Sequence, residues 1–218
     1  MIGVLGGGAF GTALAIALAK DAEVRLWARD PQAMRAMAAE RRNSRYLPDA
    51  AFPDGLSVHA DPAEVTGLPT LLLAVPAQAL PDLLQALGPT AGKDLVACCK
   101  GINRTTLEGP TATVRRHCPK AVSAILTGPS FATEIAAGLP TALTLATADA
   151  AEGQRLQTVL SRPALRLYLS DDPVGAELGG ALKNVIALAA GICIGTGFGE
   201  RARAAMIARG FSEMQRVA

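Results

Sequence analysis

Residues 2–19 are almost unbroken apolar or glycine, and three kinds of segment have that pattern: an export leader, a membrane span, or a buried strand followed by a helix. Ala17-Leu18-Ala19 resembles a leader cleavage site, but no basic residue precedes the run. Gly3, Gly6, Gly7, Gly8 and Gly11 interrupt it, each costing a helix about 1 kcal/mol relative to Ala. The run also barely reaches the roughly 18–20 residues that a bilayer requires. The next twenty residues favour the third reading. Glu23–Ala28 (EVRLWA) has strand composition, and Pro31 is placed to open a helix over 31–41. Ile2–Leu5 is then a buried strand, Gly6–Gly8 a turn, and Phe10–Lys20 a helix.

The same alternation continues. Thr70–Val75 (TLLLAV) is a continuous apolar run, as expected of a strand covered on both faces, and Pro76 ends it. A helix over 80–87, a strand over 94–99, a helix over 106–117 and a strand over 122–126 come next. Strands at 141–146 and 165–169 flank a helix at 151–160. This order predicts an α/β fold of Rossmann type, a doubly wound and mainly parallel sheet. After Asp171-Asp172-Pro173 only helical composition remains. The expected division is therefore 1–171, a nucleotide-binding domain, and 172–218, the first helices of an all-α domain. The second part is too short to bury a core by itself.

Half of the residues are apolar, only 4% are aromatic and 18% are charged, so the core must be aliphatic. A net charge of +2 without clustered Lys and Arg speaks against nucleic acid and fits a small anion held by specific lysines. The cysteines, Cys98, Cys99, Cys118 and Cys193, form no C-x-x-C pair, and the histidines add no metal-binding spacing. No metal is expected, and the thiols read as small apolar side chains of a reducing, cytoplasmic compartment.

Gly6-x-Gly8-x-x-Gly11 stands between the first strand and its helix, where a dinucleotide-binding unit requires it. Gly6 permits the tight turn, Gly8 the approach of a pyrophosphate, and Gly11 close packing. The helix N-terminus offers N–H groups to the phosphates. The second strand ends in Trp27-Ala28-Arg29-Asp30. An arginine near the usual place of the ribose-binding acid suits a 2′-phosphate, hence NADP, whereas Asp30 would serve NAD.

Two lysines lie in apolar or glycine-rich surroundings. Lys100 follows the 94–99 strand, at the carboxyl edge of the sheet where ligands of such folds bind. Lys183 lies in a helix in which Gly175, Gly179, Lys183, Ala187 and Gly191 recur at a spacing of four. Such neighbours share a face, advancing about 40° beyond a full turn per step. Either Lys183 faces a tight cleft, able to polarise a carbonyl or pair with a phosphate, or the stripe serves helix packing and the lysine reaches the surface.

With these residues in place, the sequence resembles a known family, the bacterial-type NAD(P)-dependent sn-glycerol-3-phosphate dehydrogenases of the 6-phosphogluconate-dehydrogenase-like group. The matching segments run from end to end: Gly6-Gly-Gly-Ala-Phe-Gly-Thr-Ala-Leu14, Leu26-Trp-Ala-Arg29, Asn43-Ser-Arg-Tyr-Leu-Pro48, Ala74-Val-Pro76, Lys100-Gly-Ile102, Gly128-Pro-Ser-Phe-Ala132 with Glu134, and Gly180-Ala-Leu-Lys-Asn-Val185. The resemblance implies reversible reduction of dihydroxyacetone phosphate with NADPH or NADH, feeding phospholipid synthesis in the cytoplasm. It implies that Lys183 is the catalytic acid/base and that Lys100 touches both cofactor and substrate. It further implies substrate contacts at Gly128 and Ser130, and cofactor contacts at Gly6, Gly8, Ala9, Phe10, Gly11, Arg29 and Ala132. The implied partner is a small phosphate substrate, with neither nucleic acid nor membrane involved. Self-association, as a homodimer, is expected from 204–208 and Phe211, an apolar patch wherever further helices do not cover it.

Some positions depart from the family pattern. Ala77 and Pro81 stand where Ser and Arg are usual, and Arg201 where Asn is usual. The family also continues into further helices, with Gly-Asp-Leu and Ser-Arg-Asn segments that bind the substrate phosphate, so the chain reads as a fragment. Two alternatives accompany the enzyme reading: a dinucleotide-binding fragment without turnover, and a related dehydrogenase of another hydroxy acid.

Overall fold

The structure, a computed structural model, describes residues 1–217. The chain runs β1 (Ile2–Leu5), α1 (Ala9–Leu18), β2 (Val24–Trp27), α2 (Pro31–Glu40), β3 (Arg42–Asn43), β4 (Leu47–Ala51), β5 (Leu56–His59), α3 (Ala63–Thr66), β6 (Thr70–Leu73) and α4 (Leu80–Ala86). It continues with β7 (Asp94–Ala97), α5 (Pro110–His117), β8 (Val122–Thr127), α6 (Ala132–Ala137), β9 (Thr141–Ala146), α7 (Ala150–Leu160), β10 (Leu165–Ser170), α8 (Pro173–Gly195) and α9 (Gly199–Val217).

Eight strands form one sheet in the order β10-β9-β8-β7-β6-β1-β2-β5. β1 pairs in parallel with β2 on one side and β6 on the other, so the winding reverses between β1 and β6. All four residues of β1, β6 and β7 are buried, which is why these strands read as unbroken apolar runs. One apolar layer covers one face through α1, α2, α6 and α7, with Leu14, Met34, Ile135 and Leu156 in it. The other face carries Val65, Leu84 and Val114 from α3, α4 and α5. The architecture is the doubly wound one expected.

β9 runs antiparallel to β8, and β10 parallel to β9. The connection explains the reversal. A helix as short as α6 spans about 9 Å, whereas returning along a strand of β8's length takes about 20 Å. The chain therefore enters β9 from the edge at which β8 ended.

Three expectations are corrected. The helix expected over 106–117 starts only at Pro110: Leu107 takes φ 57°, Gly109 is the N-cap, and proline fits the first helical position but not an interior one. The strands expected to reach Val75 and Cys99 end at Leu73 and Ala97. The β3–β4 hairpin, β5, α3 and α6 were not expected, being too short or too polar to leave a periodic signal.

α8 is 23 residues long and apolar enough, by length and composition alone, to cross a membrane. It nevertheless docks onto the sheet edge, through the buried Glu177 and the half-buried Lys183.

Candidate active site

The expected site residues fall in spatial order along one edge of the sheet. β2, β1, β6, β7 and β8 run parallel, so their carboxyl ends share an edge. Arg29 follows β2, the glycine loop follows β1, Lys100 follows β7, and Gly128 and Ser130 follow β8.

The glycine loop is built by contact. Gly6 takes φ 134°, and a side chain there would run into the Ala74 carbonyl. At Gly11 it would run into the Gly6 carbonyl. At Gly8 nothing lies within 4 Å of the corresponding position, so the loop is open on that side alone. Gly8 is also the N-cap of α1, with no side-chain cap, and Ala9, Phe10 and Gly11 form the first turn. A helix N-terminus with an open approach is a cradle for an anion, and the loop fits a dinucleotide pyrophosphate.

A cavity of about 730 Å³ adjoins it, lined by Gly6, Gly8, Arg29, Asp30, Met34 and Asn43 among others. Asp30 is engaged elsewhere, because its carboxylate caps α2 by accepting from the Gln32 and Ala33 amides. Arg29 lines the same cavity and makes no salt bridge among the described residues.

Sequence reasoning missed what holds the loop. Asn43 is 1% exposed, and its Nδ2 donates to the Gly7 carbonyl at 2.9 Å and to Thr12 Oγ1 at 2.8 Å. Its Oδ1 accepts from the Tyr46 amide. An asparagine inside a polar, aperiodic stretch gives no sign that it will be buried. Gln78 was missed for the same reason. Its Nε2 donates to the Ile102 carbonyl at 2.8 Å and its Oε1 accepts from the Arg104 amide, which braces the loop that begins at Lys100. Ala77, at a departure from the family pattern, opens the short 3₁₀ turn that presents Gln78. Pro81 lies in the first turn of α4, and Arg201 near the start of α9.

The lysines meet on the other side of the glycine loop. Lys100 Nζ lies 5.4 Å from the centre of the Phe10 ring, which joins the β7 loop to α1. Lys183 Nζ donates to the Gly128 carbonyl at 2.7 Å. Burial, and then the neighbouring Lys100 ammonium, hold Lys183 below the ordinary lysine pKa of 10.5. Ser130 Oγ, beside Gly128, is buried with no hydrogen-bond partner among the described residues. Ala132 opens α6, which packs on α1, and touches the same apolar layer as Phe10.

The stripe of small residues is not the docking face of α8. Gly175 lies over the Asp172 side chain, Gly179 faces Met214 of α9, and Ala187 and Gly191 are exposed. The docking row runs Glu177, Gly180, Lys183 instead. Glu177 reaches α5, Gly180 lies against Thr127 at the end of β8, and Lys183 reaches Gly128. Each of the two readings open for Lys183 has a part in this: Gly179 of the stripe packs against α9, while the lysine itself is tied to the Gly128 carbonyl rather than free at the surface.

Comparisons with known proteins agree with this fold. A family profile described as NAD-dependent glycerol-3-phosphate dehydrogenase N-terminus matches residues 1–152. The chain belongs to the NAD-dependent glycerol-3-phosphate dehydrogenase family. The C-terminal profile of that family matches residues 172–218. A glycerol-3-phosphate dehydrogenase [NAD(P)+] of Roseobacter denitrificans is 53% identical over 218 residues, all of this chain and 68% of the relative. One from Cereibacter sphaeroides is 53% identical over 219 residues, 67% of its length. The crystal structure of glycerol-3-phosphate dehydrogenase from Coxiella burnetii superposes with TM-score 0.92 at 37% identity, covering 99% of this chain and 67% of that one. The chain thus spans about two thirds of the family members it matches.

Proposed function

We propose that this chain catalyses the reversible, NAD(P)H-dependent reduction of dihydroxyacetone phosphate to sn-glycerol 3-phosphate. The observation that carries the reading is the meeting of Lys183, Lys100 and Gly128 beside an open glycine loop. Gly6, Gly8, Ala9, Phe10 and Gly11 would hold the pyrophosphate, Arg29 the ribose end, and Ala132 the far side of the cofactor. The nicotinamide supplies the hydride when it is bound.

The substrate carbonyl would lie against Lys183. As its carbon accepts the hydride, the C=O electron pair moves onto oxygen, and the Lys183 ammonium gives that oxygen a proton. In the oxidative direction neutral Lys183 takes the proton back. A lysine held below its ordinary pKa is suited to both roles. Lys100 adds positive charge for the substrate phosphate, and Ser130 Oγ and the Gly128 backbone orient the rest. Residues 1–171 act as the cofactor domain and 172–218 as the start of the substrate domain. The reaction serves glycerophospholipid synthesis in the cytoplasm, with a small phosphate ester as partner, no part for nucleic acid or membrane, and association into a homodimer.

A second reading is that the chain binds the cofactor without turnover. It is favoured by the glycine loop and its cavity, which form a cofactor cradle without either lysine. One experiment separates the two: loss of NADPH absorbance with dihydroxyacetone phosphate, run beside NADPH fluorescence titration. Turnover at an ordinary enzyme rate supports the first reading, and binding without turnover the second. Failure to bind either NADPH or NADH rejects both.

A further inference from the structure

Glu177 is 7% exposed and has no cationic partner within salt-bridge distance among the described residues. Its Oε1 accepts from the Thr111 amide. Its Oε2 lies over Gly109, the N-cap of α5, in the space a side chain there would occupy. Gly109 contributes no side-chain cap, so the acceptor for the first turn of α5 comes from another helix. Burial pushes the Glu177 carboxyl above its ordinary value of 4.5, while the bond from Thr111 and the nearby Arg115 pull it down. Cys99, two residues past the end of β7, is its other titratable neighbour. A carboxylate kept in so dry a place costs stability unless the contact it makes is needed.

The contact joins the two segments that carry the lysines. α5 ends the loop that starts at Lys100, and α8 carries Lys183. Within α8, steps of three residues fall about 60° short of a full turn, so Glu177, Gly180 and Lys183 wind slowly along one side. Each touches a different neighbour: the first turn of α5, Thr127 at the end of β8, and Gly128 just after it.

We infer that Glu177 is a positioning residue whose buried carboxylate pins α8 to the N-terminus of α5 and so sets the separation of Lys183 from Lys100. The inference rests on the proposed role of Lys183, but it can be tested without turnover. Gln keeps an acceptor for the Thr111 amide. Asp is one methylene too short to reach it. Gly109→Ala displaces the carboxylate from the opposite side.

The test is pH-dependent labelling of single lysines by trace acetic anhydride, read by mass spectrometry on the whole chain. Lys20 and Lys120 serve as internal standards, and thermal melts establish folding. The Lys183 midpoint should lie below the ordinary lysine value of 10.5. In Glu177→Asp and Gly109→Ala it should rise by about half a pH unit or more, as the repulsion from Lys100 relaxes. In Glu177→Gln it should stay in place. An unchanged midpoint in whichever of the two displacing variants folds, or an equal rise in Glu177→Gln, overturns the inference. If both displacing variants fail to fold, an unmoved Glu177→Gln midpoint must be joined by slowed exchange of the Thr111 amide relative to its first-turn neighbours in the native chain, and rapid exchange there overturns it. A lack of turnover bears on the proposed reaction and leaves this result untouched.

Discussion

Lys183 Nζ donates to the carbonyl oxygen of Gly128 at 2.7 Å, which ties the middle of α8 to the loop after β8. The bond spends one of three ammonium protons and leaves two for a substrate. It also fixes the lysine where burial and Lys100 lower its pKa.

The lowered pKa has a definite sign in activity. Reduction needs the ammonium and should fall as pH rises through the Lys183 value, below the ordinary 10.5. Oxidation needs the amine and should rise over the same range. Lys183→Met should lower kcat in both directions by about 10²-fold or more and leave the NADPH dissociation constant within a few-fold. Initial-rate pH profiles in both directions check this.

The same shift is linked to stability. Between the folded Lys183 pKa and 10.5 the unfolded chain binds more protons at this group, so its contribution to stability increases with pH. Glu177 acts oppositely. Its raised pKa means that its contribution declines as pH rises from 4.5 through the folded value. Urea midpoints over pH 4–8 should decline less steeply in Glu177→Gln than in the native chain.

Asn43→Ala should loosen the glycine loop. Three side-chain hydrogen bonds are lost, the one to Thr12 fully buried, and the Gly7 carbonyl is left bare, at a cost of about 1–3 kcal/mol. We expect a lower Tm and NADPH binding weakened about tenfold, read by calorimetry and fluorescence titration.

Asp94 and Arg155 form a stability element remote from the site. Asp94, at the first position of β7, is 4% exposed and accepts from Thr70 Oγ1 at 2.7 Å and from both Arg155 terminal nitrogens. Arg155→Ala should lower unfolding free energy by about 2 kcal/mol, below the full value for a buried pair because the arginine side chain is 46% exposed. Cofactor binding should be unchanged, since β7 begins at the opposite edge of the sheet. Urea melts with and without NADPH decide the matter.

Leu188, Ile192, Phe198, Met206, Ile207 and Phe211 are all at least 40% exposed on α8, α9 and their connection. Apolar surface of that extent promotes association. Light scattering should show a mass above 22.3 kDa that grows with concentration and falls in Leu188→Glu/Phe211→Glu. A monomeric mass at all concentrations would remove this expectation.

Sequence pattern by itself determined the class of the sheet, doubly wound and mainly parallel, because strands covered on both faces must be apolar throughout; the antiparallel entry into β9 and the short elements were left to the tertiary structure. It also placed the glycine loop, since only glycine tolerates the φ of Gly6 and the backbone contact at Gly11. The residues picked as a site do gather at one edge, since the carboxyl ends of parallel strands leave them nowhere else to go. Only the tertiary structure decided which face of α8 docks. The spacing of four pointed to Gly175, Gly179 and Gly191, whereas the contacts run through Glu177, Gly180 and Lys183. A helix that is apolar nearly all round has no preferred face in its pattern, so its partners choose one. Asn43, Gln78 and Glu177 were hidden for a related reason. A polar side chain becomes structural through the backbone groups that converge on it, and those come from segments distant along the chain.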